Sequence, residues 1–106
     1  MDREELAWAA GFLDGEGHFS LSSRDLIPRV KIDQKEPELL LRFRDAVGIG
    51  KVFERPQSNG MYTYQVWKFK ETLAVGALLW FKLGTYRRKQ FAAAIHGYLA
   101  ADIVRR

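Results

Sequence analysis

Apolar residues recur along this chain with two spacings, and the switches between them lay out its elements. Over residues 2–13, Leu6, Ala10 and Leu13 share one helical face. Asp2 has N-cap chemistry, with Glu4 and Glu5 in the first turn behind it. Residues 18–24 alternate instead, Phe19 and Leu21 against Ser20, Ser22 and Arg24. Residues 29–33 alternate again, with Val30 and Ile32 inward and Arg29, Lys31 and Asp33 outward, and residues 25–28 join the two runs as a hairpin. Pro37 suits the first turn of a helix over 36–47 that carries Leu39, Leu40, Phe43 and Val47 and stops at Gly48. A second strand pair, 51–55 and 61–69, flanks the turn-forming Pro56-Gln57-Ser58-Asn59-Gly60. A helix over 71–83 follows, striped by Leu73, Ala77 and Trp80. Gly84 breaks it before a last helix over 86–104 bearing Phe91, Ile95, Leu99 and Ile103.

The order helix, two strands, helix, two strands, helix, helix predicts an α+β fold, with a four-stranded antiparallel sheet covered by helices on one face. The outward members of each alternation would then form an open face: Ser20, Ser22, Arg24, Arg29, Lys31, Lys51, Arg55, Thr63 and Gln65, with Phe53 and Trp67 as companions. The fourth strand has two possible phases, since Tyr62, Tyr64 and Val66 can exchange faces with Thr63 and Gln65. A β-ribbon fits the DNA major groove, where Arg and Lys suit guanine edges and phosphates and Gln suits adenine. An ordinary solvated sheet face has the same composition.

The 106 residues suffice for a single domain over 1–106, without linker, repeat or low-complexity segment. Seventeen Lys and Arg against 13 Asp and Glu give a net charge of +4, which permits a nucleic-acid partner without demanding one. The absence of cysteine excludes disulfides and thiolate metal sites and suits a reducing compartment. The charged start resembles no signal peptide, and no apolar run is long enough to span a bilayer. The expected location is therefore the cytoplasm or an organelle, or a phage-encoded setting, with neither secretion nor membrane contact. His18 and His96 each stand alone, without metal-ligand spacing.

One segment carries more chemistry than the rest: Trp8-Ala9-Ala10-Gly11-Phe12-Leu13-Asp14-Gly15-Glu16-Gly17. Ala7, Gly11 and Gly15 recur every four residues as a small-residue stripe, so another helix can approach closely. Asp14 and Glu16 then lie at the negative end of the helix dipole, where acids are disfavoured unless a cation or a reaction uses them. The plain alternative is a packed helix followed by a glycine turn.

From Ala9 to Gly17 the segment resembles, position by position, the motif of the LAGLIDADG homing endonucleases, with Ala for the first Leu and Glu for the last Asp. The order of elements resembles that family too, from about Ala7 to about Leu99, as an αββαββα LAGLIDADG-like domain. The resemblance implies a homodimer whose motif helices meet at a two-fold axis, with Ala7, Trp8, Gly11, Phe12 and Gly15 at the interface. The partner would be double-stranded DNA with a palindromic or pseudo-palindromic site. It implies hydrolysis of both strands with Mg²⁺ or Mn²⁺, in the service of intron homing. Glu16 would be a metal ligand, joined by the Gly15 carbonyl, and both subunits would contribute. Asp14 would be an end-of-helix hydrogen-bonding group. Gln34 matches a glutamine that organises water near the metal, and Arg87 falls where the family usually has a lysine near the scissile phosphate. Lys89 takes that place if the register shifts by two. Glu38 stands where a basic residue is usual, with Arg42 the nearest cation. These departures keep open a second expectation, a non-catalytic nucleic-acid binder of the same fold, either a maturase or a regulator. A protein-interaction domain with a chance likeness is the third.

Overall fold

Asp2 caps the first helix: its Oδ1 accepts hydrogen bonds from the Glu4 N–H at 2.8 Å and the Glu5 N–H at 3.2 Å. In the computed structural model, which describes residues 2–105, this helix, α1, runs Arg3–Glu16. It is three residues longer than its apolar pattern. The chain leaves it directly for β1 (Gly17–Leu21), with the Gly17 N–H bonded to the Leu13 carbonyl. Gly17 has ordinary extended backbone; what it lacks is bulk, since a Cβ there would lie 2.4 Å from Leu13 Cδ1 and 2.8 Å from Ile32 Cγ1. The glycine lets helix end and sheet touch.

β1 stops before Ser22 and Arg24, which were expected to continue it. The Ser22 hydroxyl instead accepts from the Arg24 and Asp25 N–H groups at 3.3 and 3.5 Å, and this local bonding makes a turn in place of strand. β2 (Pro28–Gln34) returns antiparallel, then α2 (Pro37–Val47) begins at a proline and ends at Gly48 in left-handed backbone. β3 (Lys51–Glu54) and β4 (Tyr62–Val66) complete an antiparallel sheet of order β1-β2-β4-β3. β4 is shorter than expected, because Phe69 is already helical and stacks on Tyr98 at 4.1 Å. α3 (Phe69–Leu79), a 3₁₀ turn (Trp80–Lys82) and α4 (Thr85–Arg105) follow.

Helices cover one sheet face, and the core lies between. Phe19, Val30, Ile32, Tyr64 and Val66 from the sheet meet Ala9, Ala10, Leu13, Leu40, Phe43, Val47, Val75 and Leu79 from the helices. Tyr64 and Val66 therefore point inward, and Thr63 and Gln65 take the other face. The Tyr64 hydroxyl donates to the Ile49 carbonyl at 2.7 Å, and burial holds its pKa far above the usual range. Two helical expectations shift. α3 buries Thr72, Val75, Gly76 and Leu79, one residue away from the Leu73, Ala77 and Trp80 stripe. Thr72 can lie inward because its hydroxyl donates to the Pro28 carbonyl at 2.9 Å. On α4, Phe91 is buried but Leu99 and Ile103 are exposed.

Candidate nucleic-acid interface and catalytic helix end

Strand register fixes which side chains share the uncovered face. One rung runs Lys31–Gln65–Lys51 across β2, β4 and β3; the next runs Asp33–Thr63–Phe53. On β1, His18 lies opposite Lys31 and Ser20 opposite Arg29. Ser20, Arg29, Lys31, Lys51 and Gln65 thus take the expected face. Thr63 does too, but it is 1% exposed and has no surface to offer. Its hydroxyl donates to Asp33 Oδ1 at 2.5 Å. Arg55 lies just past β3 with its Nη1 3.5 Å from Asp33 Oδ2. Ser22 and Arg24 sit in the β1–β2 turn. Asp25 in that turn holds the Arg29 guanidinium at 3.2 Å, and its own carboxyl is held below the usual range, chiefly by the Ser22 hydroxyl.

Asp33 and His18 are open-face residues absent from the expected set, although the alternation of residues 29–33 had put Asp33 outward. Phe53 and Trp67 stack nearly parallel at 6.0 Å beside Lys51. Partial desolvation first, then the charges of Lys31 and Arg87, lower the His18 pKa from 6.5, against a smaller opposing effect of Asp33.

The face meets the end of α1 at Glu16. Glu16 is exposed, and among the described residues its side chain has no hydrogen bond or ion pair. Asp14 is engaged: both its oxygens accept from the Gly84 N–H, at 3.0 and 2.9 Å, at the start of α4. That is the hydrogen-bonding role expected of it. Arg87 reaches the same helix end, its Nε donating to the Leu13 carbonyl at 3.3 Å and its Nη1 to Gln90 Oε1 at 3.0 Å. Lys89 is exposed on the same turn of α4. Gln34 occupies the last rung of β2 opposite Tyr62, and its position has the parity of Val30 and Ile32 on the helix-covered side.

Ala7, Gly11 and Gly15 form an exposed stripe on α1, and a Cβ at Gly11 or Gly15 would meet nothing within 4 Å. Trp8 and Phe12 are half-buried against α2 instead. They stack on each other at 5.0 Å, with Arg42 over Trp8 at 3.9 Å and Phe12 against Phe43. Arg42 also pairs with Glu5 at 2.8 and 3.0 Å, so the cation nearest to Glu38 is already occupied.

Oxygen donors dominate the helix end. The last carbonyls of any α-helix lack intrahelical partners, and the negative end of the dipole favours a cation. A Glu16 carboxylate beside the Gly15 carbonyl is hard-oxygen chemistry of the kind Mg²⁺ accepts. Among the described residues, no three Asp, Glu, His or Cys side chains come together as a metal site within one chain.

A helix ending in carboxylates beside an open, cation-bearing antiparallel sheet places the chain in an α+β class with helices on one sheet face. No protein-family model and no curated protein matches the chain. Solved structures do. The archaeal intron-encoded homing endonuclease I-Vdi141I, complexed with DNA, is 29% identical over 72% of this chain and 54% of its own, with a TM-score of 0.62. I-CvuI, bound to an I-CreI target in the presence of Mg, gives 23% identity, a TM-score of 0.68, and coverage of 83% of this chain and 62% of that one. I-TnaI gives 20% and 0.73, over 92% and 73%. The chain thus spans 54% and 62% of the length of the first two. It has the LAGLIDADG fold, and its resemblance to that family of homing endonucleases, first carried by the nine residues from Ala9 to Gly17, extends over the sheet and its covering helices. Among the described residues, no helix is long and apolar enough to cross a membrane.

Proposed function

We propose that the chain is a site-specific, divalent-metal-dependent DNA endonuclease that acts as a homodimer. The observation that carries this reading is Glu16, an exposed carboxylate without a partner among the described residues, at the end of a helix whose outward stripe is empty and beside a face of outward cations. Glycine in a helix interior costs roughly 1 kcal/mol relative to alanine, and nothing inside this chain requires it at Gly11. A second copy packed across Ala7, Gly11 and Gly15 supplies the reason, and brings two Glu16 carboxylates together. Among the described residues one chain lacks a sufficient ligand set; two chains would offer paired carboxylates and Gly15 carbonyls. A divalent cation held there would supply an activated water and neutralise charge on the phosphate. The residues' own part is to place it: Glu16 and Gly15 hold, Asp14 fixes the helix end against α4, and the sheet sets the duplex in register. Gln34 and Arg87 would act at the edge of this centre, and Lys89 near a phosphate.

A second reading, a non-catalytic binder of the same fold, is favoured by Arg87, whose guanidinium is engaged with Leu13 and Gln90. One experiment separates the two: purified protein with Mg²⁺ against a randomised duplex library, with Glu16→Gln in parallel. Recurrent two-fold-symmetric cuts that vanish in the variant, while binding persists, are the expected result. Salt-sensitive enrichment of bound duplexes without any cutting would transfer the function to the second reading.

A further inference from the structure

An acid on a DNA-facing sheet needs a reason, because every phosphate nearby repels it. Asp33 lies on the open face at the second rung, paired with Thr63 of β4 on one side and one residue past the last β1 pair, Gly17–Ile32, on the other, where α1 ends. Its carboxylate accepts from the hydroxyl of its buried cross-strand neighbour, Thr63, at 2.5 Å. Its other oxygen, Oδ2, faces two cations from two directions: Arg55 Nη1 at 3.5 Å and Lys31 Nζ at 3.9 Å. Asp33 therefore ties β2 to the base of the β3–β4 turn, where the Arg55 N–H is itself bonded to the Met61 carbonyl at 2.9 Å. A guanidinium is a rigid planar fork, and one drawn toward Asp33 at a single Nη keeps its remaining donors free for a two-point contact with a base edge. A cation already balanced by a carboxylate gains less from a phosphate, which reads no sequence.

We propose that Asp33 is a specificity-positioning residue: it holds Arg55 and Lys31 over the sheet so that they read base edges in the major groove and do not serve as general phosphate contacts. The inference rests on the DNA-binding reading above. It has a consequence of unusual sign, in that removing an interaction on the binding face strengthens binding to the wrong DNA.

The test measures affinity against salt concentration for two duplexes, the site recovered from the library and a scrambled duplex of the same composition. For Asp33→Asn, each released cation neutralises about one more phosphate, so the salt slope on scrambled DNA steepens by about 0.9 per cation. Scrambled DNA is bound more tightly, and discrimination between the two duplexes falls about tenfold, the scale of one lost base contact. Unchanged slope and discrimination, or weaker binding to both duplexes, would overturn the proposal. Arg55→Gln, on an exposed side chain, keeps the test available if Asp33→Asn does not fold. Its scrambled-DNA slope should stay at the wild-type value while discrimination drops; a slope shallower by about 0.9 would make Arg55 a phosphate contact and overturn the proposal. If the wild-type chain binds neither duplex in a salt-dependent way, the DNA-binding reading itself fails. A wild type that binds while neither variant changes slope or discrimination defeats only this inference.

Discussion

Asp14 shows how one carboxylate serves two helices in opposite senses. At the end of α1 it meets the negative pole of the dipole; at the start of α4, accepting from the Gly84 N–H, it meets the positive pole. Its net effect is that of an N-cap, so Asp14→Ala should destabilise the fold by about 1 kcal/mol and lower the melting temperature by about 4–8 °C. Glu16→Gln, which removes no contact among the described residues, should leave that temperature unchanged. Thermal melts of both variants check the contrast; equal losses would remove the division of labour between the two acids. His18 carries a pH dependence. Its pKa in the folded chain is lowered from 6.5, so the folded state takes up a proton less readily than the unfolded chain. Stability is full above that unfolded value and declines as pH falls through it toward the folded one. NMR titration of the His18 ring should find a value below 6.5 that rises in Lys31→Gln. No movement in that variant would mean that Lys31 is not among the causes. At this scale the sequence showed residue types and faces but not partners. Asp14 was legible as a hydrogen-bonding end, whereas Gly84 lies 70 residues away. Thr63 was legible as outward, whereas its burial between Asp33 and Phe53 on the two flanking strands was not.

Two helical glycines, Gly11 and Gly76, have opposite meanings, and only the packing separates them. Beside Gly76 an added Cβ would lie 2.1 Å from Phe91 Cε1, so this glycine is what lets α4 rest on α3. Gly76→Ala should cost about 1–3 kcal/mol through overpacking. Beside Gly11 the space is open, and Gly11→Ala should stabilise the isolated monomer by about 0.5–1 kcal/mol while weakening self-association. Melts at low concentration, paired with sedimentation, read both signs; a destabilised Gly11→Ala monomer would show that the helix is strained for another reason. The same packing explains where periodicity misled. Leu73, Ala77 and Trp80 are a sound helical stripe, but Thr72, Val75, Gly76 and Leu79 form another one residue earlier, and a single helix cannot bury both. The stripe with the small residue won because α4 needed the room. In the sheet, alternation sufficed wherever one face was apolar, as in β2. It failed at the ends, where the Ser22 hydroxyl and the Phe69–Tyr98 stack redirected the backbone.

For the whole molecule the question is whether its active unit is one chain or two. A single chain presents one exposed Glu16 carboxylate at the end of α1, and no group of three ligating side chains among the described residues. If two copies pool their Glu16 side chains, as proposed, then loss of one should disable the pair. Wild type and Glu16→Gln are co-refolded in varied ratio at constant total concentration, and cleavage of the selected site is measured. With random pairing, an equal mixture leaves about one dimer in four with both carboxylates, so activity should fall to about a quarter, along the square of the wild-type fraction. A linear fall to about one half, with Glu16→Gln still pairing, would instead mean that each chain's carboxylate acts alone. A refolding loss common to both chains scales every point alike, so the shape of the curve carries the distinction once sedimentation shows that Glu16→Gln still pairs. Repeating the series with Gly11→Leu as the diluting chain adds the geometric half of the reasoning. A chain that cannot pack its stripe against a partner should not poison the wild type, and the fall should then track the wild-type chains alone.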